Sequence, residues 1–231
     1  MTDGAEGGHQ RRSRSVRALI LVVAWAALTG ILIAVGMGVT HSSSANAFDH
    51  HLTSVVVAHR TSPLNALMKA VTWLGSWVAL VATGILLVVL AFGRRLPMVA
   101  ILLGVVAWAG EASSVTLAKH LVQRARPPQD LRLVSAHGWS WPSGHTAVAV
   151  VIYTTLALVV AVIGPSSAHR ALAWVLSALA VCAVAFSRIE LGVHWTTDVI
   201  ASIIFVGAWL LVLFALFASD LCPAHRARRH V

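Results

Sequence analysis

Six apolar runs separated by short polar connections dominate this chain and leave it few folds to adopt. They cover Ala18 to about Thr40, Leu67 to about Phe92, Met98 to about Ala118, His145 to about Ile163, Ala171 to Phe186, and Trp195 to Ala218. Several exceed the roughly 18 residues that a helix needs to cross a bilayer. Of the 231 residues, 58% are hydrophobic and only 11% charged, which excludes a soluble globular domain. The expected fold is all-α: one polytopic membrane domain of six transmembrane helices over residues 18–218, between basic tails at 1–17 and 219–231.

Two ambiguities sit near the N-terminus. A basic head, Arg11 to Arg17, followed by an apolar run resembles a signal peptide, and Ala45-Asn46-Ala47 resembles a cleavage site. The run is 23 residues long, against roughly 7–15 for a signal sequence, so we read it as an uncleaved span. Between His41 and Pro63 apolar residues recur at helical spacing, as in a short helix lying in the membrane interface. The histidines there (His41, His50, His51 and His59) invite a metal reading, but only Asp49 is at hand to complete a ligand set. The two cysteines, Cys182 and Cys222, have neither metal-site nor disulfide spacing. Glu111 lies inside the third run, where a carboxyl is costly and should face the bundle interior, paired or protonated.

The charge balance sets the topology. With six spans both termini share one side, and that side carries Arg11, Arg12, Arg14, Arg17, Arg94, Arg95, Arg170, Arg226, Arg228 and Arg229, ten of the 17 basic residues. The positive-inside rule makes it cytoplasmic. Topology therefore accounts for most of the net charge of +9, and nucleic acid is not an expected partner. The other face keeps Arg60, Lys69, Lys119, Arg124, Arg126, Arg132 and Arg188. These seven require a reason beyond topology, and five lie in two polar stretches.

The first stretch, Lys119 to Trp141, runs into Pro142-Ser143-Gly144-His145. Ser143 is a good helix N-cap, Gly144 lets an anion approach the backbone, and N–H groups at a helix start bind phosphate. A bound anion would hold His145 protonated. The second stretch, Ser187 to Asp198, places Arg188 six residues before His194 and Asp198 four residues after it. On a helix, His194 and Asp198 share a face, so the carboxylate fixes the imidazole tautomer and frees the other ring nitrogen. Arg188 offers a planar donor fork suited to phosphate. Alone, each stretch also fits a bland description: a solvated juxtamembrane loop, or a simple helix cap.

Together they resemble the type 2 phosphatidic acid phosphatase (PAP2) superfamily. Its pattern is Lys-x6-Arg-Pro, then Pro-Ser-Gly-His, then Ser-Arg-x5-His-x3-Asp. Here Lys119 with Arg126-Pro127, Pro142 to His145, and Ser187-Arg188 with His194 and Asp198 fill it without departure. The resemblance covers Lys119 to Asp198 and implies a six-helix bundle that hydrolyses a lipid phosphate without a metal or other cofactor. It implies that His194 is the nucleophile that becomes phosphohistidine, held by Asp198. His145 would be the general acid. Lys119, Arg126, Arg188, Ser143 and the Gly144 N–H would cradle the phosphoryl oxygens. Three fixed cations and a helix N-terminus supply what phosphoryl transfer needs, in-line placement and charge neutralisation.

The expected partners are a lipid phosphate substrate and the surrounding lipids, with no obligate protein partner. Composition favours a bacterial inner membrane, with the site on the outer face. Undecaprenyl or decaprenyl diphosphate is the first expectation for substrate, with phosphatidate or phosphatidylglycerophosphate beside it. The superfamily also holds soluble vanadium haloperoxidases, against which the spans argue. A lipid-binding protein or transporter without catalysis is the reading of another class, and a complete nucleophile, acid and orienter would have no purpose in it.

Overall fold

The computed structural model describes residues 3–221, and among them every regular element is helical. Eight α-helices follow in order: α1 Asp3–His41, α2 Ser43–Ala58, α3 Ser62–Val71, α4 Trp77–Phe92, α5 Val99–Val122, α6 Gly144–Ile163, α7 Ser167–Glu190 and α8 Thr196–Leu221. Five of them (α1, α5, α6, α7 and α8) are long and apolar enough to cross a membrane alone, and the bent pair α3–α4 brings the count to six when taken as one broken span. Helix α1 takes in the basic head that the sequence reading set apart as a tail. The C-terminal tail beyond Leu221, with Cys222, lies outside the described residues.

A core of α1, α5, α6 and α8 holds the bundle together through Leu32, Ala107, Val115, Ala147, Val150, Phe205, Val206 and Trp209. Ala147, Ala149 and Ala157 on α6 are fully buried; small side chains let membrane helices approach closely. Large apolar side chains such as Leu19, Ile204 and Leu211 face outward, as lipid requires. At the end remote from the site, Arg17 of α1 and Asp220 of α8 form an ion pair at 2.7 Å.

Three expectations need correcting. The second apolar run is not one straight helix: α3 and α4 meet at 43°, through a 3-10 turn over Thr72–Gly75. Ser76 caps α4 by accepting from the Ala79 N–H at 3.4 Å. Gly75 permits the break, since a Cβ there would stand 2.6 Å from the His145 carbonyl oxygen. The third and fifth helices outrun their apolar stretches, so Lys119 and Arg188 stand on the last turns of α5 and α7 and not in loops. Finally, His194 precedes α8, so it does not share a helix face with Asp198.

Helix α2 is the short helix expected between His41 and Pro63. Trp73 and Trp77 are largely exposed near the start of α4, as interfacial anchors would be. Glu111 is buried as expected, and its Oε2 has no hydrogen-bond partner among the described residues.

Candidate active site

All the helix ends that carry motif residues lie at one end of the bundle: the C-termini of α5 and α7 and the N-termini of α6 and α8. Asp198 sits in the first turn of α8 and reaches back to the Trp195 N–H at 3.0 Å. A carboxylate three residues into a helix satisfies the exposed donor at its start in this way. The same Oδ2 lies 3.3 Å from His194 Nδ1, so the two residues meet even though they share no helix. Ser140 Oγ also donates to Oδ2.

On the other ring nitrogen, Arg126 Nη1 stands 3.0 Å from His194 Nε2. Arginine can only donate, so Nε2 is the lone-pair nitrogen and Nδ1 carries the hydrogen that faces Asp198. Burial holds the imidazole well below its usual range, at about 3, against the pull of Asp198. At neutral pH His194 is therefore neutral, with its lone pair on the side where Arg126 stands.

The other sequence-predicted residues gather around it. Lys119 Nζ donates to the carbonyls of Trp139 at 2.9 Å and Pro142 at 2.7 Å, and so shapes the loop leading into α6. Arg126 is held by the Val193, His137 and Gly138 carbonyls at 2.6–3.0 Å. Arg188 donates from Nη1 to Thr72 Oγ1 at 2.6 Å, while its buried Nε has no hydrogen-bond partner among the described residues. Lys119, Arg126 and Arg188 all act electrostatically on His145, the half-buried second residue of α6.

Ser143 occupies the N-cap position, but not in the manner expected. Its hydroxyl pairs with Thr146 Oγ1 at 2.9 Å and bonds no backbone N–H. The start of α6 thus keeps its backbone donors, and the Cβ position at Gly144 opens onto free space. An anion can approach the backbone there.

Two contributors escaped the sequence reading. Thr72 reaches Arg188 only because the α3–α4 span is broken. Arg124 donates to Asp198 Oδ1 at 2.7 Å and to Asp49 Oδ2 at 2.6 Å, all three residues being buried. Asp49, the one acidic neighbour of the clustered histidines, therefore faces an arginine. His41 and His59 bond carbonyls of their own helices, and His50 packs on Trp195 with ring centroids 4.7 Å apart. Among the described residues, no group of three or more His, Cys, Asp or Glu is placed to hold a metal ion.

A helical membrane bundle with a buried histidine–carboxylate pair, ringed by cations and a helix N-terminus, belongs to the membrane phosphatase class. The PAP2 superfamily pattern matches residues 96–220, and this chain belongs to that superfamily. It is similar to phosphatidylglycerophosphatase B of Bacillus subtilis, with 27% identity over 69% of this chain and 78% of that protein. The fold matches the crystal structure of a transmembrane PAP2-type phosphatidylglycerolphosphate phosphatase from the same organism, with a TM-score of 0.70 and 25% identity over 86% of this chain and 94% of that one. It also matches LpxE of Aquifex aeolicus in fold, with a TM-score of 0.55 and 24% identity over 71% and 93% of the two chains. The chain is a multi-span lipid phosphatase of the PAP2 type.

Proposed function

We propose that the chain removes the terminal phosphate of a lipid phosphate at the outer membrane face, in two steps through a phosphohistidine on His194. His194 Nε2 attacks phosphorus, the bond from phosphorus to the leaving oxygen breaks, and His145 gives that oxygen its proton. Water then attacks the phosphohistidine, His145 takes the water proton, and inorganic phosphate leaves. Lys119, Arg126, Arg188, the Ser143 hydroxyl and the Gly144 N–H neutralise the equatorial oxygens, which leaves a divalent metal no position to fill. The observation that carries the reading is the His194 tautomer: Nδ1 faces Asp198 while Nε2 faces a guanidinium, where an anion would lie.

The similarity to phosphatidylglycerophosphate phosphatases moves that substrate class ahead of the polyprenyl diphosphates. The seven basic residues on the site side, against ten on the other, support an outward site in a bacterial inner membrane with cytoplasmic termini. An export-dependent reporter should then be active when fused near residue 135 and silent near residue 95; the reverse pattern would overturn the orientation. For the substrate, phosphate release by the detergent-purified protein is measured on phosphatidylglycerophosphate, phosphatidate and undecaprenyl diphosphate. The highest kcat/KM is expected on phosphatidylglycerophosphate. A clear preference for the diphosphate would make the chain a carrier-lipid phosphatase, and release from none would leave a binding protein.

A further inference from the structure

Behind the reacting residues lies a buried chain of alternating charge. Asp198 accepts from Arg124 Nη1 at 2.7 Å, and the same nitrogen donates to Thr197 Oγ1 at 2.7 Å. Arg124 Nη2 donates to Asp49 Oδ2 at 2.6 Å and to Asn46 Oδ1 at 3.3 Å. Asp49 in turn accepts from the Thr197 N–H at 3.0 Å and the Thr197 hydroxyl at 2.6 Å, so one carboxylate grips both Arg124 and the first turn of α8. The guanidinium carbon lies 5.8 Å from the Trp195 ring centroid, and that indole is fixed by the Ala125 carbonyl at 2.8 Å. Relative exposure is 0% for Asp49, 3% for Arg124 and 0% for Asp198. Neither Asp49 nor Arg124 is open to a substrate, unlike the half-buried Arg126.

We propose that Arg124 and Asp49 are positioning residues for the reaction: Arg124 fixes the Asp198 carboxylate toward His194, and Asp49 of α2 fixes and moderates Arg124. The proposal rests on the reading of His194 as nucleophile. Ion pairs this deeply buried are poor sources of stability, because desolvation offsets most of their attraction. Their alignment on the carboxylate that orients the nucleophile gives them a role there. It also ties the short helix α2 to the chemistry, since Asp49 reaches the site from an element outside the family motifs.

Charge gives the test its direction. Arg124 is a cation next to the His194–Asp198 pair, and Asp49 is an anion one step further out. Other groups facing the pair are Lys119 of α5 and Arg126. His145 of α6 and Arg188 of α7 share the same electrostatic space, and His50 of α2 packs on Trp195. All of these stay constant in the variants below. Removing the cation raises the pair's proton affinity, and removing the outer anion lowers it.

The experiment is the pH profile of kcat/KM for phosphatidylglycerophosphate hydrolysis by the full chain in detergent, as wild type, Arg124→Gln, Asp49→Asn and the double variant. The acidic limb should move up by about one pH unit in Arg124→Gln and down by a smaller amount in Asp49→Asn. It should return toward wild type in the double variant, with kcat falling about tenfold or more in Arg124→Gln and KM little changed. Limbs that stay in place or move the same way, with activity lost merely in step with folding, would overturn the proposal. If Arg124→Gln does not fold, the near-isosteric Asp49→Asn carries the test, and an unmoved limb there overturns it. Failure of the underlying reading would look different: His194→Gln would keep its activity while the limbs shifted.

Discussion

Arg126 Nη1 and His194 Nε2 stand 3.0 Å apart, and this contact fixes the protonation pattern of the site. In the mechanism we propose, a group that holds phosphate thus occupies the side from which His194 attacks. That mechanism requires the guanidinium to turn part of its fork from the imidazole to the phosphoryl oxygens on substrate binding, freeing the lone pair.

The buried, neutral state of His194 has a consequence for stability. Its proton affinity in the folded protein is depressed to about 3, from an ordinary value near 6.5. Between those values the unfolded chain binds a proton that the folded chain refuses, so stability is present above about 6.5 and is lost as pH falls toward 3. Each unit of such a shift corresponds to about 1.4 kcal/mol as an upper bound. Thermal unfolding in detergent from pH 7 to pH 4 should show a falling Tm, with a shallower fall in His194→Gln. Equal slopes would contradict the neutral assignment.

The break at Gly75 gives a second expectation. Its missing Cβ lets the 3-10 turn lie against the His145 carbonyl, at a separation of 2.6 Å from where the Cβ would be. Gly75→Ala should push the start of α6 and the turn apart, costing about 1–3 kcal/mol in stability, as overpacking does, and displacing His145 and Thr72 together. The variant should lose more activity than a lipid-facing substitution of equal size, such as Gly84→Ala, whose Cβ meets nothing. Tm and kcat measured on both decide the matter.

Arg188 is anchored by Thr72 through one nitrogen, and its Nε is unengaged among the described residues. Arg188→Lys preserves charge but not the planar fork. It should cost about 3 kcal/mol in transition-state stabilisation, or roughly a hundredfold in kcat/KM. Thr72→Val, which removes only the anchor, should cost about 1 kcal/mol, or fivefold. Steady-state kinetics of both variants test the order; a Thr72 effect equal to that of Arg188 would mean that the anchor itself contacts the substrate.

Metal removal separates the cation cradle from the histidine cluster. Activity should survive excess chelator, and vanadate should inhibit, because a trigonal-bipyramidal vanadate on His194 imitates the transition state. His51→Ala, at an exposed position on α2, should leave turnover nearly unchanged. Loss on chelation, restored by one particular metal, would move attention to the histidines between 41 and 59.

The parts of this architecture legible in the sequence were those written locally. The apolar runs announced the spans, and the resemblance to the PAP2 motifs named Lys119, Arg126, Ser143, His145, Arg188, His194 and Asp198 as residues of one site. The α3–α4 break was hidden because apolar residues continue through it, although Gly75-Ser76, a small residue followed by a cap, was its signal. Lys119 and Arg188 looked like loop residues because hydropathy ends where lipid ends, whereas backbone hydrogen bonding carries a helix on into the polar zone. Asp49 and Arg124 were out of reach for another reason. Their meaning lies in a contact across 75 positions of chain, and the motif arginine two residues further along drew the assignment. Asp49 was read beside neighbouring histidines when its partner lay on another element.

The most direct measurement of the central claim is rapid-quench trapping of the phosphoenzyme. The purified protein is mixed with substrate labelled in its terminal phosphate, quenched in alkali and mapped by peptide. The account predicts label on His194, stable to alkali and lost in acid as a phosphoramidate is, with none in His194→Gln. Label that persists in His194→Gln, or that resists acid as a phosphate ester does, would contradict it.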